Sequence, residues 1–379
     1  MFTYEYRIYP NKKQEQMFAK TFGCTRFIYN KILDIRIQNY NNKKENKPLS
    51  NRLTPAKYKD EFIWLKEVDS LALANAQLHV EKAYKNFFKH GFGKPKFKNK
   101  YGKQSYTTNN VSNTIRIENN KIRLPKVGMV NIVLHRPIQG NIKSVTVKKT
   151  KTNKYFISIL TDFTYKVDKK ANNYAIGIDL RIKDFAILSN GSKIQNPKEY
   201  RKLENKMKFA QRALSRKVKG SNNRNKAKYK LAKVHEKISN RRKDFLHKLS
   251  HKIINENQVI VLEDLQVKNM VKNHKLAKSI ADVSWGTFVV YLQYKANVYN
   301  REIIKIDKFF PSSKTCSCCG HVLEKLDLST REWVCPNCKT KHDRDVNASV
   351  NILQEGMKIM KGRNCPDSLL IPSSLEDVA

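Results

Sequence analysis

Four cysteines near the C-terminal end have the spacing of a metal centre. Cys316 and Cys319, then Cys335 and Cys338, form two C-x2-C pairs separated by fifteen residues. Four thiolates at this spacing predict a tetrahedral Zn²⁺ site, structural because protein fills all four positions. Cys318 offers a competing register, but a knuckle prefers two intervening residues and selects Cys316 with Cys319. His342 is placed outside the ligand set. Directly after it runs Asp343-Arg344-Asp345-Val346-Asn347. Two more carboxylates end apolar runs upstream: Asp179 in Ile176-Gly177-Ile178-Asp179-Leu180 and Glu263 in Val259-Ile260-Val261-Leu262-Glu263.

Each acid has an ordinary reading by itself. Asp179 can end a strand, Glu263 can sit exposed at a strand end, and Asp343 and Asp345 can cap a helix. Three acids delivered from separate buried elements are also what two-metal phosphodiester hydrolysis needs. Mg²⁺ prefers hard oxygen ligands and takes one or two carboxylates per ion. Asp179 is the natural bridging ligand of two Mg²⁺ ions, with Glu263 and Asp345 flanking it and Asn347 and Asp343 supporting. Gly177 shares a strand face with Asp179, and the expectation is that it leaves room for metal and phosphate.

The charge names the partner class. Lys and Arg number 75 against 33 Asp and Glu, a formal net charge of +42. A compact chain this basic repels itself unless a polyanion screens it. A membrane surface is not the expected partner, because the start of the chain offers no amphipathic basic helix or lipidation signal and no apolar run approaches about 18 residues. Nucleic acid remains. Seven cysteines with an odd remainder outside the quartet predict a reducing, intracellular compartment.

The elements that must position these acids follow from periodicity. Residues 2–8 alternate as a strand closed by Pro10. Residues 10–107 read as a helical bundle: Asn11 caps one helix, Gly23 interrupts before a second, 39–50 is a polar loop, and another helix opens at Asp69 or Ser70. Strand pairs around 115–124 and 145–159 return the chain to β-structure, so 1–9 with 108–170 predict a β-barrel split by the helical insertion. After a polar linker at 168–173, strands at 174–180, 184–188, 259–265 and 303–306 alternate with helices, ending in a helix at about 346–358. That order fits an RNase H-like α/β domain over 171–307 and 343–360, with the ribbon inserted at 308–342. Residues 361–379 lack periodicity and are read as a disordered tail.

Taken together, these motifs resemble the TnpB (OrfB) family of insertion-sequence proteins, related to type V CRISPR effectors. The resemblance spans nearly the whole chain: Tyr9-Pro10-Asn11, Phe27-Ile28-Tyr29-Asn30, Tyr84-Lys85-Asn86-Phe87-Phe88, Gln104–Asn110, Gly177-Ile178-Asp179-Leu180, Asp244–Leu249, Glu263-Asp264-Leu265, Ser284-Trp285-Gly286, the ribbon, and Asp343–Ala348. It implies a multidomain α+β protein with an N-terminal wedge barrel carrying a helical recognition insertion, then a RuvC domain with an inserted zinc ribbon. It also implies an RNA-guided DNA endonuclease, cytoplasmic and nucleoid-associated in a prokaryote. Such a protein binds a guide RNA from the transposon end, recognises a short target-adjacent motif, and cuts double-stranded target DNA at one RuvC site. Asp179, Glu263 and Asp345 map onto the three family carboxylates. Arg181, where glycine is frequent in the family, and Ser349, where alanine is common, are departures.

Nucleic-acid contacts are expected in three places. Lys94, Lys96 and Lys98 interleave with Phe92, Phe97 and Tyr101, a pattern suited to phosphate contact plus base stacking. Lys217, Lys219, Arg224, Arg241 and Arg242 lie in a basic helical stretch with few balancing acids. By resemblance, Tyr106, Thr108 and Asn109 lie where the family reads its adjacent motif. Two other functions use the same features: an RNA-guided DNA-binding regulator that does not cut, and a RuvC-type resolvase or transposase that needs no RNA.

Overall fold

The computed structural model describes residues 1–164, 174–327 and 329–362. The expected linker at 168–173 lies outside the described residues. So does the expected tail beyond 362, while Lys361 still belongs to the last helix. The chain divides into two compact units, 1–165 and 166–379.

In the first unit, β1 (Phe2–Tyr9) leads into α1 (Lys12–Lys44). The Asn11 side chain accepts from Gln14 N at 2.9 Å and Gln14 Oε1 accepts from Asn11 N at 3.0 Å, a reciprocal cap. Contrary to the sequence expectation, Gly23 does not break this helix, nor does a loop begin at 39. The Phe18 and Phe22 side chains pack on the sheet and Ile28, Ile32 and Leu33 on α2 (Ser70–His90), so burial on both sides outweighs the propensity cost of one glycine. Asp69 caps α2 by accepting from Leu71 N at 3.1 Å.

Six more strands follow: β2 (Gln104–Asn109), β3 (Ile117–Glu118), β4 (Lys121–Leu124), β5 (Gly128–Val133), β6 (Ile142–Lys149) and β7 (Tyr155–Thr161). With β1 they form one antiparallel sheet in the order β2-β6-β7-β1-β5-β4-β3. Asn119 and Asn120 both have positive φ, 47° and 55°, as a two-residue hairpin turn between β3 and β4 requires. Tyr4, Tyr6 and Ile8 of β1 share one core with Tyr106 of one edge strand and Ile122 next to the other edge, so the sheet curls around them. It is not the closed barrel expected. β2 and β3 stand at opposite ends of the ladder, and β3 offers only two residues for pairing. The sheet also begins at Gln104, inside the segment expected to be helical.

The second unit is built on a mixed sheet. Its strands are β8 (Ala175–Leu180), β9 (Asp184–Leu188), β10 (Lys193–Gln195), β11 (Val259–Glu263) and β12 (Glu302–Ile306), ordered β10-β9-β8-β11-β12. β8 runs parallel to β11 and antiparallel to β9. Helices α3 (Glu199–Ser215) and α4 (Asn222–Glu256) form a hairpin between β10 and β11. Then α5 (Val267–Met270), α6 (His274–Val283) and α7 (Trp285–Tyr299) precede β12. A small ribbon with strands β13 (Glu332–Val334) and β14 (Lys341–Asp343) leads directly into α8 (Arg344–Lys361). No helix of the described residues is long and apolar enough to cross a membrane.

The sheet is buried on both faces, which explains its uniformly apolar strands. Ile176, Ile178, Ile260 and Leu262 pack against α4 and α7. The alternate residues Ala175, Val259 and Val261 pack against Ile352, Leu353 and Met357 of α8. Period two therefore puts Gly177, Asp179 and Glu263 on the α8 face. A Cβ at Gly177 would collide with the Ser349 carbonyl oxygen and lie 2.8 Å from Leu353 N, and one at Gly356 would run into the Val261 methyls. The Gly177 space expected for metal and phosphate is thus filled by helix backbone.

Two substitutions separate these roles. Gly177→Ala is expected to destabilise the second unit by about 1–3 kcal/mol through overpacking. Gly23→Ala, with nothing within 4 Å of its new methyl, should instead stabilise the first by up to about 1 kcal/mol. Urea unfolding with hydrogen exchange resolved to each unit measures both, and an unchanged second unit in Gly177→Ala would show that the helix does not press on the strand.

Candidate active site

Asp179, Glu263 and Asp345 are brought to one end of the sheet by three different elements. β11 pairs with β8 through Val261 with Gly177 and Leu262 with Ile178. One more step of that register sets Glu263 level with Asp179. Asp345 stands in the first turn of α8, on the face that the two glycines let approach the strands. Asp179 and Asp345 are each 8% exposed and Glu263 is half-buried. Asp343 is the helix cap, accepting from Asp345 N at 2.9 Å and Val346 N at 3.0 Å, and it pairs with Lys193 at 2.6 Å.

The electrostatics reflect this proximity. Burial pushes the Asp179 carboxyl above its ordinary range, the Arg181 guanidinium beside it opposes this, and the Asp345 charge adds to it. Burial likewise raises Glu263; the Ser312 hydroxyl, donating to Oε1 at 2.8 Å, opposes, and Asp179 contributes to the rise. Arg181 lies between two of the acids. Its Nε donates to Asp179 Oδ2 at 2.6 Å and its Nη1 pairs with Asp345 Oδ1. That second contact lacks hydrogen-bond direction, so Asp345 Oδ1 is buried without a donor among the described residues. The three carboxylates are not close enough together to share one ion through one oxygen each. An orphaned carboxylate oxygen, two further acids and no soft donor are a set that fits hard divalent cations.

The cysteine quartet is assembled as the spacing predicts. One ligand atom from each of Cys316, Cys319, Cys335 and Cys338 lies within 4.8 Å of the others, a cluster able to bind a metal such as zinc. The knuckles repeat one hydrogen bond, Gly320 N to Cys316 O at 2.9 Å and Lys339 N to Cys335 O at 3.0 Å. Hydrogen bonding with the Thr340 side chain and backbone draws Cys338 down to about 6, towards the thiolate a metal needs. Burial pushes the Cys316 thiol up to about 12. His342 is outside the quartet yet touches it, with Nε2 3.0 Å from Cys316 Sγ. Cys318 is exposed.

The segment that carries the first knuckle is tied to α8 by amide side chains one turn apart. Asn347 Oδ1 accepts from Ser317 N at 3.0 Å and its Nδ2 donates to Thr315 O at 2.7 Å. Asn351 Nδ2 donates to Ser312 O at 2.8 Å and to Thr315 O at 2.6 Å, and Gln354 Nε2 donates to Ser317 O at 3.1 Å. Since Ser312 also donates to Glu263, one stretch of six residues (312–317) joins the quartet, α8 and the end of β11. Asn347 was legible as a supporting residue next to Asp345; Ser312, Asn351 and Gln354 were not, because their partners are remote in sequence.

The expected nucleic-acid contacts divide. Lys94, Lys96, Lys217 and Lys219 are exposed. Lys98 is pinned: Asn30 bonds its backbone N–H and C=O at 2.8 and 2.9 Å, and its ammonium lies 3.8 Å over the Tyr29 ring. Tyr106 and Thr108 are corrected, since β2 turns both into the core, 3% and 0% exposed, and Thr108 donates its hydroxyl to the Asp69 cap. Asn109 faces Asn75 at 3.4 Å. Arg224 is also corrected: its Nη1 donates to Leu214 O at 3.1 Å and Lys217 O at 2.6 Å, closing the α3–α4 turn. Arg242 serves Asp282 at 3.0 Å with its side chain mostly covered, and Arg241 pairs with Glu199 at 3.2 Å while half exposed. A groove of about 660 Å³ between α3 and α4 is also basic, lined by Lys206, Lys226, Lys230, Lys233 and Lys237 around Phe209. Phe209 falls off the apolar stripe of α3, and that break was its signal.

Comparison with known proteins agrees with this architecture. Residues 145–274 match a family described as "Probable transposase" (OrfB_IS605), residues 285–352 a "Cas12f1-like, TNB domain", and residues 1–45 a "Helix-turn-helix domain". That last segment folds here as a strand and one unbroken helix. The chain is 39% identical over 360 residues to a "Putative RNA-guided DNA endonuclease" of Streptomyces pristinaespiralis, covering 93% of this chain and 89% of that protein. It is 30% identical over 377 residues to the "Putative RNA-guided DNA endonuclease InsQ" of Escherichia coli K12, covering 94% and 92%. The fold resembles that of Cas12f1 solved in complex with sgRNA and target DNA, with a TM-score of 0.55 at 15% identity over 90% of this chain and 83% of that one. By these relatives, matched along nearly their full length, the chain belongs to the TnpB (OrfB) family.

Proposed function

We propose that this protein is an RNA-guided DNA endonuclease that hydrolyses target DNA with two Mg²⁺ ions held by Asp179, Glu263 and Asp345. The convergence of these acids from β8, β11 and α8 at one sheet end carries the reading. The strand order β10-β9-β8-β11-β12, two antiparallel pairs followed by two parallel ones, supports assigning the second unit to the RuvC type. The curled sheet with α1 and α2 corresponds to the wedge and its helical insertion, and the Cys316–Cys338 segment to the zinc ribbon. Zn²⁺ would have a structural role there, since four thiolates leave no open position.

When bound, the divalent ions supply activation of a water molecule and stabilisation of the leaving 3′ oxygen. This chain's own residues do the rest. Asp179, Glu263 and Asp345 would hold the ions. Ser312 orients Glu263, and Asp343 fixes the helix turn that carries Asp345. Exposed lysines neutralise phosphates, while target sequence would be read by pairing with a transposon-end guide RNA and the protein would read shape and a short adjacent motif.

Two measurements test this. Incubating the purified ribonucleoprotein with target duplex and Mg²⁺ should produce cuts, and Asp179→Ala should abolish them by a factor of about a thousand or more while duplex binding persists. Binding without cuts by the unaltered protein would favour a regulator, and cutting that survives removal of the RNA would favour an RNA-independent resolvase. Ser312→Ala should lower cleavage by about 10–100-fold while the chain keeps one zinc by elemental analysis. Full activity in that variant would show that Glu263 needs no support from the ribbon segment.

A further inference from the structure

Arg181 takes no part in the hydrolysis described above, yet it touches two of its three acids. It follows Asp179 by two positions just beyond β8, so both side chains leave on the same side. Its Nε holds Asp179 Oδ2 at 2.6 Å, and its Nη1 pairs with Asp345 Oδ1 from the far end of the sequence. The bridge is largely out of water: the Arg181 side chain is 22% exposed and the side chains of the two aspartates 10% and 12%. Screening by salt is therefore weak there. Arg331 adds a looser positive charge, 3.7 Å from Asp345 Oδ2. A guanidinium does not deprotonate in the working pH range, so it can leave these carboxylates only by moving.

We propose that Arg181 is a resident counter-ion, which holds Asp179 and Asp345 together in the ion-free protein and must swing out before divalent cations bind between them. The proposal rests on the reading of these acids as a metal site. Arg181 already occupies one oxygen of each acid, and its positive charge at contact distance repels a divalent ion placed between the same two carboxylates. The grip is uneven. At Asp179 it is a short, directed hydrogen bond; at Asp345 it is charge contact alone, leaving Oδ1 without a donor. The displaced guanidinium suits a phosphate as well as it suits a carboxylate. A nucleic-acid backbone entering beside the site gives Arg181 another anion, so metal and substrate favour each other's binding beyond any direct contact between them. The arginine at this position thereby lowers metal affinity until substrate is present.

Direct Mn²⁺ titration, read from the free-ion paramagnetic resonance signal, tests this without any cleavage assay. The sample is the zinc-replete protein–RNA complex without DNA. Competition by a bridge closed about nine-tenths of the time reduces apparent affinity about tenfold, so Arg181→Met should bind Mn²⁺ about tenfold more tightly than the unaltered protein. Arg181→Gly, which removes the stem as well, should behave the same way, and Arg181→Lys should stay near the unaltered value. Zinc content and circular dichroism establish that each variant is folded. Equal or weaker Mn²⁺ binding in both Arg181→Met and Arg181→Gly, at a site that Asp179→Asn abolishes, overturns the counter-ion proposal and leaves the metal site standing. Mn²⁺ binding that Asp179→Asn does not alter overturns the metal site itself, and this proposal with it.

Discussion

The contact between α8 and the strands β8 and β11 governs the rest of the second unit. A helix laid on a sheet ordinarily keeps its distance because side chains on both surfaces fill the space between. Here two glycines remove a side chain from each surface, Gly177 on the strand against Ser349 and Leu353, and Gly356 on the helix against Val261. The helix backbone drops onto the sheet, and Ser349 and Leu353 occupy the volume above Gly177. The result reaches the active end. Asp345 is four residues before Ser349 and Asp179 two residues after Gly177, so the depth at which the helix lies decides how near the two carboxylates come. A glycine with no side chain thus sets the geometry of two carboxylates.

The same helix serves a second structure. Asn347, Asn351 and Gln354 lie on one face at helical spacing and hold the backbone of 312–317, the root of the cysteine module. Primary amides suit this task because each can donate to carbonyls and accept from an N–H without carrying charge into a covered interface. Metal bound by the four cysteines would stiffen this root from one side while the amides stiffen it from the other, and Ser312 passes that order to Glu263. The insertion of the ribbon between β12 and α8 is therefore not a neutral choice of position. It ties the last two acids to one short segment.

The three acids were legible in the sequence because each closes or opens a strongly patterned element: Asp179 and Glu263 after apolar strand runs, Asp345 at the head of an apolar helical stripe. The cysteine quartet was legible from spacing alone. Gly177 was correctly marked and wrongly explained, since the strand pattern gives its face but not what lies across from it. Gly23 was misread by the opposite error, a local propensity cost outweighed by packing on both flanks of α1. β5 was missed because Met129 and Val133 are apolar on its exposed face and blur the alternation. Tyr106 and Thr108 fit a recognition motif by type and position, but the alternation of β2 points them inward. Closure of the first sheet depended on hydrogen bonding between strand ends, which composition does not report.

Charge illustrates the limit of counting most clearly. The excess of 42 positive charges identifies a polyanion as partner, but it does not say which residues meet it. Arginine and lysine differ here in physical role. The planar guanidinium reaches several fixed acceptors at once, and the folded chain uses it for itself: Arg224 on two carbonyls of the α3–α4 turn, Arg344 on the carbonyls of Asp327 and Thr330, Arg242 on Asp282, Arg181 between two acids. The lysines of the α3–α4 groove, with a single strongly hydrated charge on a flexible stem, are instead left at the surface around Phe209. An internal acceptor takes the arginines because one ordered side chain then satisfies two partners, whereas ordering a lysine costs similar entropy for a single charge. A phosphate backbone, irregular and partly mobile, favours the lysines for the same reason in reverse. These four arginines hold the chain's own structure, while the groove lysines keep their charge at the surface.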